Sequence, residues 1–273
     1  MNNNFLQRSI TGVLFVATVA GATLLSEWSF FFLIIAINGL CLLEFYELAL
    51  PDKSFIEKYL GIIAGSVICT MFARIFSADL SLAWYYHLIP VFLVLFIIKL
   101  YENTNNEFVT LAFQILGLLY ISVPFVMLIK MGFFNSMEYN AGLPMGFFIL
   151  LWTSDTGAYL AGRSFGKHKL FERVSPKKTW EGSIGGILLT IMVAYILSLF
   201  ELFDAVDTKD WFIIGALIVV FGTFGDLFES LLKRNLKIKD SGTVLPGHGG
   251  ILDRFDGLFL AVPAVFFYLL FTN

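Results

Sequence analysis

Long apolar runs separated by short polar segments dominate the chain from end to end. A helix that crosses a bilayer needs roughly 20 mainly apolar residues. Nine stretches fit this requirement, at about 10–26, 29–50, 57–76, 82–101, 108–129, 143–161, 183–203, 210–229 and 249–272. The first stretch lacks a strongly basic start and a clear cleavage site, which favours a retained span over a signal peptide. The pattern predicts an all-α, polytopic integral membrane protein with about nine transmembrane helices.

Composition agrees with this class and excludes several others. Apolar residues make up 58% of the 273 residues and charged residues only 14%, with a net charge of −3. Soluble domains usually contain about 45–50% apolar and about 25% charged residues. The values exclude a disordered chain and an ordinary cytosolic enzyme, and the net charge argues against a nucleic-acid partner. Cys41 and Cys69 lie in apolar runs, so a zinc site or a disulfide framework is not expected.

Lysine and arginine residues predict the orientation in the membrane. With nine spans, the N-terminus and the loops near 51–58, 99–107, 162–182 and 230–248 lie on one side and hold fourteen basic residues, against three on the other side. Cytoplasmic loops carry the excess of basic residues. We therefore expect a cytoplasmic N-terminus and active site and an external C-terminus, in the inner (plasma) membrane if the protein is bacterial.

Charged residues are concentrated in the C-terminal half. Segments 155–182 and 226–256 cover 59 residues but hold 19 of the 39 charged side chains. The sequence therefore predicts an N-terminal transmembrane scaffold, 1–140, and a C-terminal catalytic transmembrane region, 141–273, within one membrane-embedded unit.

One polar cluster lies at the inner end of the eighth stretch. Asp226, Glu229, Ser230 and Lys233 have the spacing that places them on one face of a helix. Carboxylates at this depth usually face a cavity or a partner. The alternative is an interfacial helix end whose charges snorkel to the surface and pair there.

A second cluster begins with a glycine-rich turn at 246–250 and continues into the last apolar stretch. The turn is expected to open a helix, whose N-terminus attracts anions. Asp253 and Asp256 follow, one helical turn apart, and Mg²⁺ prefers such carboxylate oxygens together with substrate phosphates. Asp256 could equally be a structural partner of Arg254 or Lys233.

The third cluster lies between the sixth and seventh stretches. Asp155 is at the inner end of the sixth stretch, and Ser-Pro-Lys-Lys at 175–178 is expected to cap and begin the next helix. Two lysines beside free helix amides suit a phosphate, whereas the alternative is that the loop binds anionic lipid headgroups. Gly182 and Gly186 have a spacing typical of close helix contact.

The run from Ser230 to Asp256, SLLKRNLKIKDSGTVLPGHGGILDRFD, resembles the signature of phosphatidate cytidylyltransferases (CDP-diacylglycerol synthases). The segments SDTGAYLAGRSFGKHKL and SPKKTWEGSIGG resemble the same family. Residues matching the family's motifs are frequent over about 152–257, whereas the preceding part of the chain resembles the family only in its composition. The resemblance implies a phospholipid-biosynthetic transferase that converts CTP and phosphatidate into CDP-diacylglycerol and pyrophosphate.

This reaction brings two polyanions together, so it requires charge neutralisation and alignment more than a strong base. Divalent cations supply both, and Mg²⁺ is the expected cofactor, with two cation positions of which the second has no assigned identity. The candidate catalytic residues are Asp226, Lys233, Arg234, Asp253, Arg254 and Asp256. The candidate metal ligands are Asp226 and Asp253, with Glu229 and Asp256 as weaker candidates. The candidate substrate-binding residues are Asp155, Lys177, Lys178, Ser230, Lys239, Asp240 and His248, of which His248 could instead only satisfy the turn.

Two other functions remain open at this point. A CTP-dependent lipid kinase would transfer the terminal phosphate and release CDP. An ion-coupled transporter could use Asp253, Arg254 and Asp256 inside the membrane, although transporters usually show repeats and broken helices near the midplane. The expected partners are CTP, phosphatidate and membrane lipids, with a homodimer as the default assembly.

Overall fold

A computed structural model of the chain describes residues 2–51, 53, 55–77, 86, 88–101, 106–134, 136, 138–236, 238, 241–242 and 249–272. Most of these residues are helical. The helices are α1 (Asn2–Leu25), α2 (Glu27–Ala49), α3 (Phe55–Ser77), α4 (Leu88–Tyr101), α5 (Glu107–Gly117), α6 (Val123–Met131), α7 (Gly142–Phe165), α8 (Trp180–Leu197), α9 (Thr208–Asn235), α10 (Leu252–Phe255) and α11 (Leu258–Thr272). A π-helical turn, Leu118–Ser122, joins α5 to α6, and β1 (Lys169–Phe171) pairs with β2 (Ser175–Thr179).

Six helical segments in the described part of the chain are long and apolar enough to cross a membrane. They are Glu27–Ala49, Glu57–Ser77, Glu107–Met131, Trp180–Leu197, Thr208–Asn235 and Leu252–Thr272. Two further apolar helices are shorter, Ser9–Leu25 and Leu88–Tyr101. The prediction of a predominantly helical protein with several helices long and apolar enough to span a membrane is therefore confirmed, and the count of nine spans stays a prediction.

The chain divides into two compact units, of which the first contains Met1–Tyr139 and Ser241–Leu252. Its core forms where α2, α3 and α5 approach one another around the buried ring of Tyr46, whose hydroxyl donates to the carbonyl oxygen of Gln114 at 2.8 Å. Gly61 and Gly117 make room for that ring, since a Cβ at either position would lie 2.7 Å or less from it. Small residues thus allow these helices to pack closely.

The second unit contains Asn140–Asp240 and Asp253–Asn273. Here α7 and α8 pack against each other at glycines: a Cβ on Gly182 would lie 2.8 Å from the carbonyl oxygen of Ala158, and one on Gly186 would lie 3.2 Å from that of Ser154. The predicted close helix contact at Gly182 and Gly186 is confirmed. This contact brings the polar end of α7 beside the start of α8.

The start of α8 differs from the sequence prediction. Residues 175–178 do not begin a helix but belong to β2, which is antiparallel to β1 in the register Lys169 with Thr179 and Phe171 with Ser175. The N-cap is Thr179, whose Oγ1 accepts a hydrogen bond from the Gly182 amide at 3.2 Å. The prediction that Ser175 and Pro176 cap the helix is wrong because β1 offers a pairing strand and Thr179 supplies an equivalent cap four residues later.

The last apolar stretch is also interrupted, because α10 ends at Phe255 and α11 begins at Leu258. At the turn between them, the Asp256 Oδ1 accepts a hydrogen bond from the Gly257 amide at 2.7 Å. Such a side-chain bond to the local backbone competes with helix formation. Gly225 of α9 lies directly against this turn, since a Cβ there would be 3.0 Å from the Gly257 Cα. The turn is therefore held in place by α9.

Candidate active site

The second unit contains a polar cavity of about 470 Å³. It is lined by Ser154, Asp155, Ala158, Tyr159, Gly162 and Arg163 of α7, by Lys177, Lys178 and Thr179 of β2, by Gly182 and Ser183 of α8, by Thr223 and Asp226 of α9, and by Asp253, Arg254 and Asp256. Four aspartates and four basic residues therefore share one cavity, although the chain supplies them from three separate segments.

Lys178 joins β2 to α9 across this cavity. Its Nζ lies 2.6 Å from the Asp226 Oδ2 and donates a longer hydrogen bond, 3.4 Å, to the Thr223 carbonyl oxygen. The other oxygen of the same carboxylate, Oδ1, accepts a hydrogen bond from the Ser230 hydroxyl at 3.2 Å. The Asp226 side chain remains 37% exposed, so a ligand in the cavity can still reach it.

Lys233 joins α9 to α10. Its Nζ lies 2.7 Å from the Asp253 Oδ1 and 3.4 Å from the Glu229 Oε1. Glu229 is fully buried, so an ionised carboxylate at this position would depend on this lysine for compensation. The alternative interpretation of this helix end was that its charges pair at the surface. The charges do pair, but Lys233 turns inward to Glu229 and Asp253 instead of extending to the surface.

The remaining predicted site residues fall into two groups. Glu229, Ser230, Lys233 and Arg234 do not line the cavity in the described part of the chain, and the Arg234 Nε donates to the Val174 carbonyl oxygen at 3.5 Å. Lys239, Asp240 and His248 lie outside the described residues.

The donor set fits a hard cation that is completed by substrate. Asp155, Asp226, Asp253 and Asp256 offer carboxylate oxygens to one cavity. Within the described residues, no group of three or more potential metal-ligating side chains is close enough to hold an ion by itself. Magnesium usually takes one or two protein carboxylates and fills its remaining positions with waters and substrate phosphates, so this arrangement suits Mg²⁺ carried with a nucleotide.

One buried carboxylate is absent from the sequence prediction. Glu44 of α2, in the first unit, is 2% exposed and accepts hydrogen bonds from the backbone amides of Ile251 and Leu252, each at 2.8 Å. In the sequence it is one of two glutamates near the end of an apolar run, a place where an exposed interfacial charge is ordinary. Only its depth inside an otherwise apolar stretch could have drawn attention to it.

Comparison with known proteins identifies the family. A family model described as the cytidylyltransferase family matches residues 6–272, almost the whole chain. The chain belongs to the cytidylyltransferase family. It is therefore an enzyme of the nucleotidyltransferase class. The resemblance carried by residues 152–257 is confirmed and extends over nearly all of the sequence.

Several relatives carry the same name. A phosphatidate cytidylyltransferase of Bacillus subtilis is 35% identical over 270 residues, which cover 96% of this chain and 97% of the relative. Two others, from Rickettsia felis and Rickettsia bellii, are 34% and 35% identical and cover 77% and 79% of this chain, and 91% and 92% of their own lengths. These relatives of the cytidylyltransferase family are similar to the chain in length as well as in sequence.

Proposed function

We propose that this chain transfers a cytidylyl group from CTP to phosphatidate, forming CDP-diacylglycerol and releasing pyrophosphate. The observation that carries the proposal is the polar cavity, where four aspartates meet Arg163, Lys177, Lys178 and Arg254. These residues come from the segments in which the family resemblance is dense. The names of the relatives supply the substrates.

The chemistry is an in-line displacement at phosphorus. A phosphate oxygen of phosphatidate attacks the α-phosphorus of CTP, a new P–O bond forms, and the bond to the oxygen bridging the α- and β-phosphates breaks. Pyrophosphate leaves with that electron pair. The attacking phosphate is already an anion near neutral pH, so the cavity needs to align and neutralise charge more than it needs a base.

The basic residues of the cavity are suited to this task. Lys177, Lys178 and Arg254 bind phosphate oxygens, and Lys178 exchanges its contact with Asp226 for a substrate phosphate. Asp226 and Asp253 are the proposed Mg²⁺ ligands, with Asp256 as a further candidate. When bound, Mg²⁺ would supply Lewis-acid stabilisation of the phosphates. Four carboxylates in a cavity that accepts a polyanion would repel it without such cations.

The proposed topology has nine spans, with a cytoplasmic N-terminus and cavity and an external C-terminus. The asymmetry of lysine and arginine supports this orientation. Phosphatidate enters the cavity laterally from the bilayer, while CTP enters from the cytoplasm. Single cysteines at Lys169 and Lys209, in a chain whose two cysteines are replaced, test the sidedness. An impermeant maleimide applied to intact cells should label position 209 only, and labelling of position 169 would overturn the orientation.

The first experiment on the function follows the label from CTP in detergent-solubilised protein with phosphatidate and Mg²⁺. Label on the α-phosphate should enter the lipid phase in equal amount to the pyrophosphate released. Asp226→Asn should abolish the transfer, whereas Asp204→Asn, at an exposed aspartate in the same unit, should not.

A parallel reaction with CTP labelled on the γ-phosphate separates the competing functions. A lipid kinase would move this label into lipid and release CDP, and a transporter would move neither label into lipid. Either result, from folded protein, would refute the proposal.

A further inference from the structure

Glu44 is a buried carboxylate with three hydrogen-bond donors, and the proposed chemistry does not use it. It lies on α2, inside a span, and is 2% exposed. Its Oε1 accepts a hydrogen bond from the Ile251 amide at 2.8 Å, and its Oε2 accepts from the Leu252 amide at 2.8 Å and from the Ser241 hydroxyl at 3.0 Å. These donors are about 200 residues away in sequence, and all belong to the segment 241–252.

The described parts of this segment, 241–242 and 249–252, pack closely around the carboxylate. A Cβ on Gly242 would lie 2.7 Å from the Glu44 Oε1, and a Cβ on Gly250 would collide with the Oε2 and with the Ser241 hydroxyl. Gly249 has a φ of 81°, a left-handed conformation that favours glycine. The glycines therefore allow the backbone to wrap around Glu44, and a bulkier residue at 242 or 250 would displace it.

A carboxylate buried in a span is costly unless it is fully hydrogen-bonded. Three donors on its two oxygens offset that cost, and two of them are backbone amides of the residues where α10 begins. Asp253 and Arg254, which line the polar cavity, are the next two residues along the chain. Fixing the amides of Ile251 and Leu252 thus fixes the backbone from which both side chains project.

We infer that Glu44 is a positioning residue for the transferase reaction. It holds the start of α10 so that the side chains of Asp253 and Arg254 point into the polar cavity. The inference rests on the proposed function. Glu44 does not touch substrate in this role, and Lys177 and Lys178 would still bind phosphate oxygens without it, so its loss should lower kcat far more than it weakens substrate binding. A misplacement of reacting groups by about 1 Å can cost about 100-fold in rate.

The test compares Glu44→Gln with Glu47→Gln, a matched change at an exposed glutamate one turn later on the same helix. Glutamine is isosteric, but its NH2 group replaces one carboxylate oxygen and cannot accept a hydrogen bond, so at least one of the three bonds is lost. We expect kcat to fall about 100-fold in Glu44→Gln with the KM for CTP within about twofold. Glu47→Gln should behave like the wild type, and Glu44→Asp should recover part of kcat because it keeps two acceptor oxygens.

Hydrogen exchange in detergent, without substrate, supplies a readout that is independent of activity. Glu44→Gln should speed exchange in a peptide spanning 249–255 and leave peptides of α3 and α9 unchanged. Unaltered exchange at 249–255, or a normal kcat, would overturn the inference, as would faster exchange throughout the chain, which indicates a purely structural role. If the wild type transfers no cytidylyl group, the proposed function fails, and the exchange data alone decide whether Glu44 holds this segment.

The glycines provide a second test if Glu44→Gln does not fold. Gly242→Ala should reproduce the loss of kcat by displacing the carboxylate. In a double-mutant cycle, Glu44→Asp should remove most of the effect of Gly242→Ala, because the shorter side chain leaves space for the added methyl. Additive losses would contradict a shared mechanism.

Discussion

Gly225→Ala should disable the enzyme through the turn that carries Asp256. A Cβ at position 225 would lie 3.0 Å from the Gly257 Cα and 3.2 Å from the Gly257 carbonyl oxygen, and it would collide with the carbonyl oxygen of Asp256. These are backbone atoms, so no flexible side chain can move aside. The turn at 256–257 must shift away from α9 to accommodate the methyl group.

The expected size of the effect follows from that geometry. Forcing an extra methyl group into a well-packed contact costs about 1–3 kcal/mol, whereas replacing glycine by alanine in a helix interior gains up to about 1 kcal/mol. The net loss of stability is therefore modest, about 0–2 kcal/mol. Activity should fall much further, by about 100-fold, because Asp256 lines the cavity and moves with the turn.

Gly222→Ala is the matched control, one turn earlier on the same helix. A Cβ there would meet the Leu151 Cδ1 at 3.4 Å and the Gly257 carbonyl oxygen at 3.9 Å, which are ordinary van der Waals distances. The assay measures the rate of label transfer from CTP to lipid and the thermal unfolding midpoint in detergent. Equal activity of the two variants would refute the argument that contact with the turn at 256–257 sets the position of Asp256.

Three further predictions concern charge pairs, the helix cap and the metal. Lys233→Met should lower the free energy of unfolding by about 3–5 kcal/mol, because it leaves buried carboxylates uncompensated. Lys178→Met should lower the free energy of unfolding by at most about 1 kcal/mol, since its partner Asp226 is 37% exposed. If thermal unfolding midpoints showed the Lys178 variant to be the less stable of the two, the argument that the Lys233 ion pair is the more deeply buried would be refuted. Thr179→Ala should cost about 1 kcal/mol and Thr179→Ser almost nothing, again measured by thermal unfolding, because serine retains the capping oxygen. Chelation of Mg²⁺ should abolish transfer while leaving the unfolding midpoint unchanged, because lysines already compensate two of the cavity's aspartates; a large drop in the midpoint would indicate a structural metal.

Local patterns in the sequence point to many of the residues that line the candidate site. Spacing, charge and family resemblance indicate Asp226, Ser230 and Lys178, and the structure brings all three together. The reason is that a helix end or a polar turn in a hydrophobic chain is recognisable from the residues next to it in the sequence. Two local predictions were wrong because they depended on other segments. The cap of α8 depends on strand β1, and the break after α10 depends on a contact with α9.

The sequence by itself determined the helical membrane class, the family and the polar segments that carry the proposed chemistry. Hydrophobic run length, charge counts and motif spacing contain that information because each is a property of neighbouring residues. Only the tertiary structure decided which segments share the cavity, that Lys233 pairs inward with Asp253, and that Glu44 binds amides about 200 residues further along. Such partners are selected by packing of distant helices, and no local pattern records them.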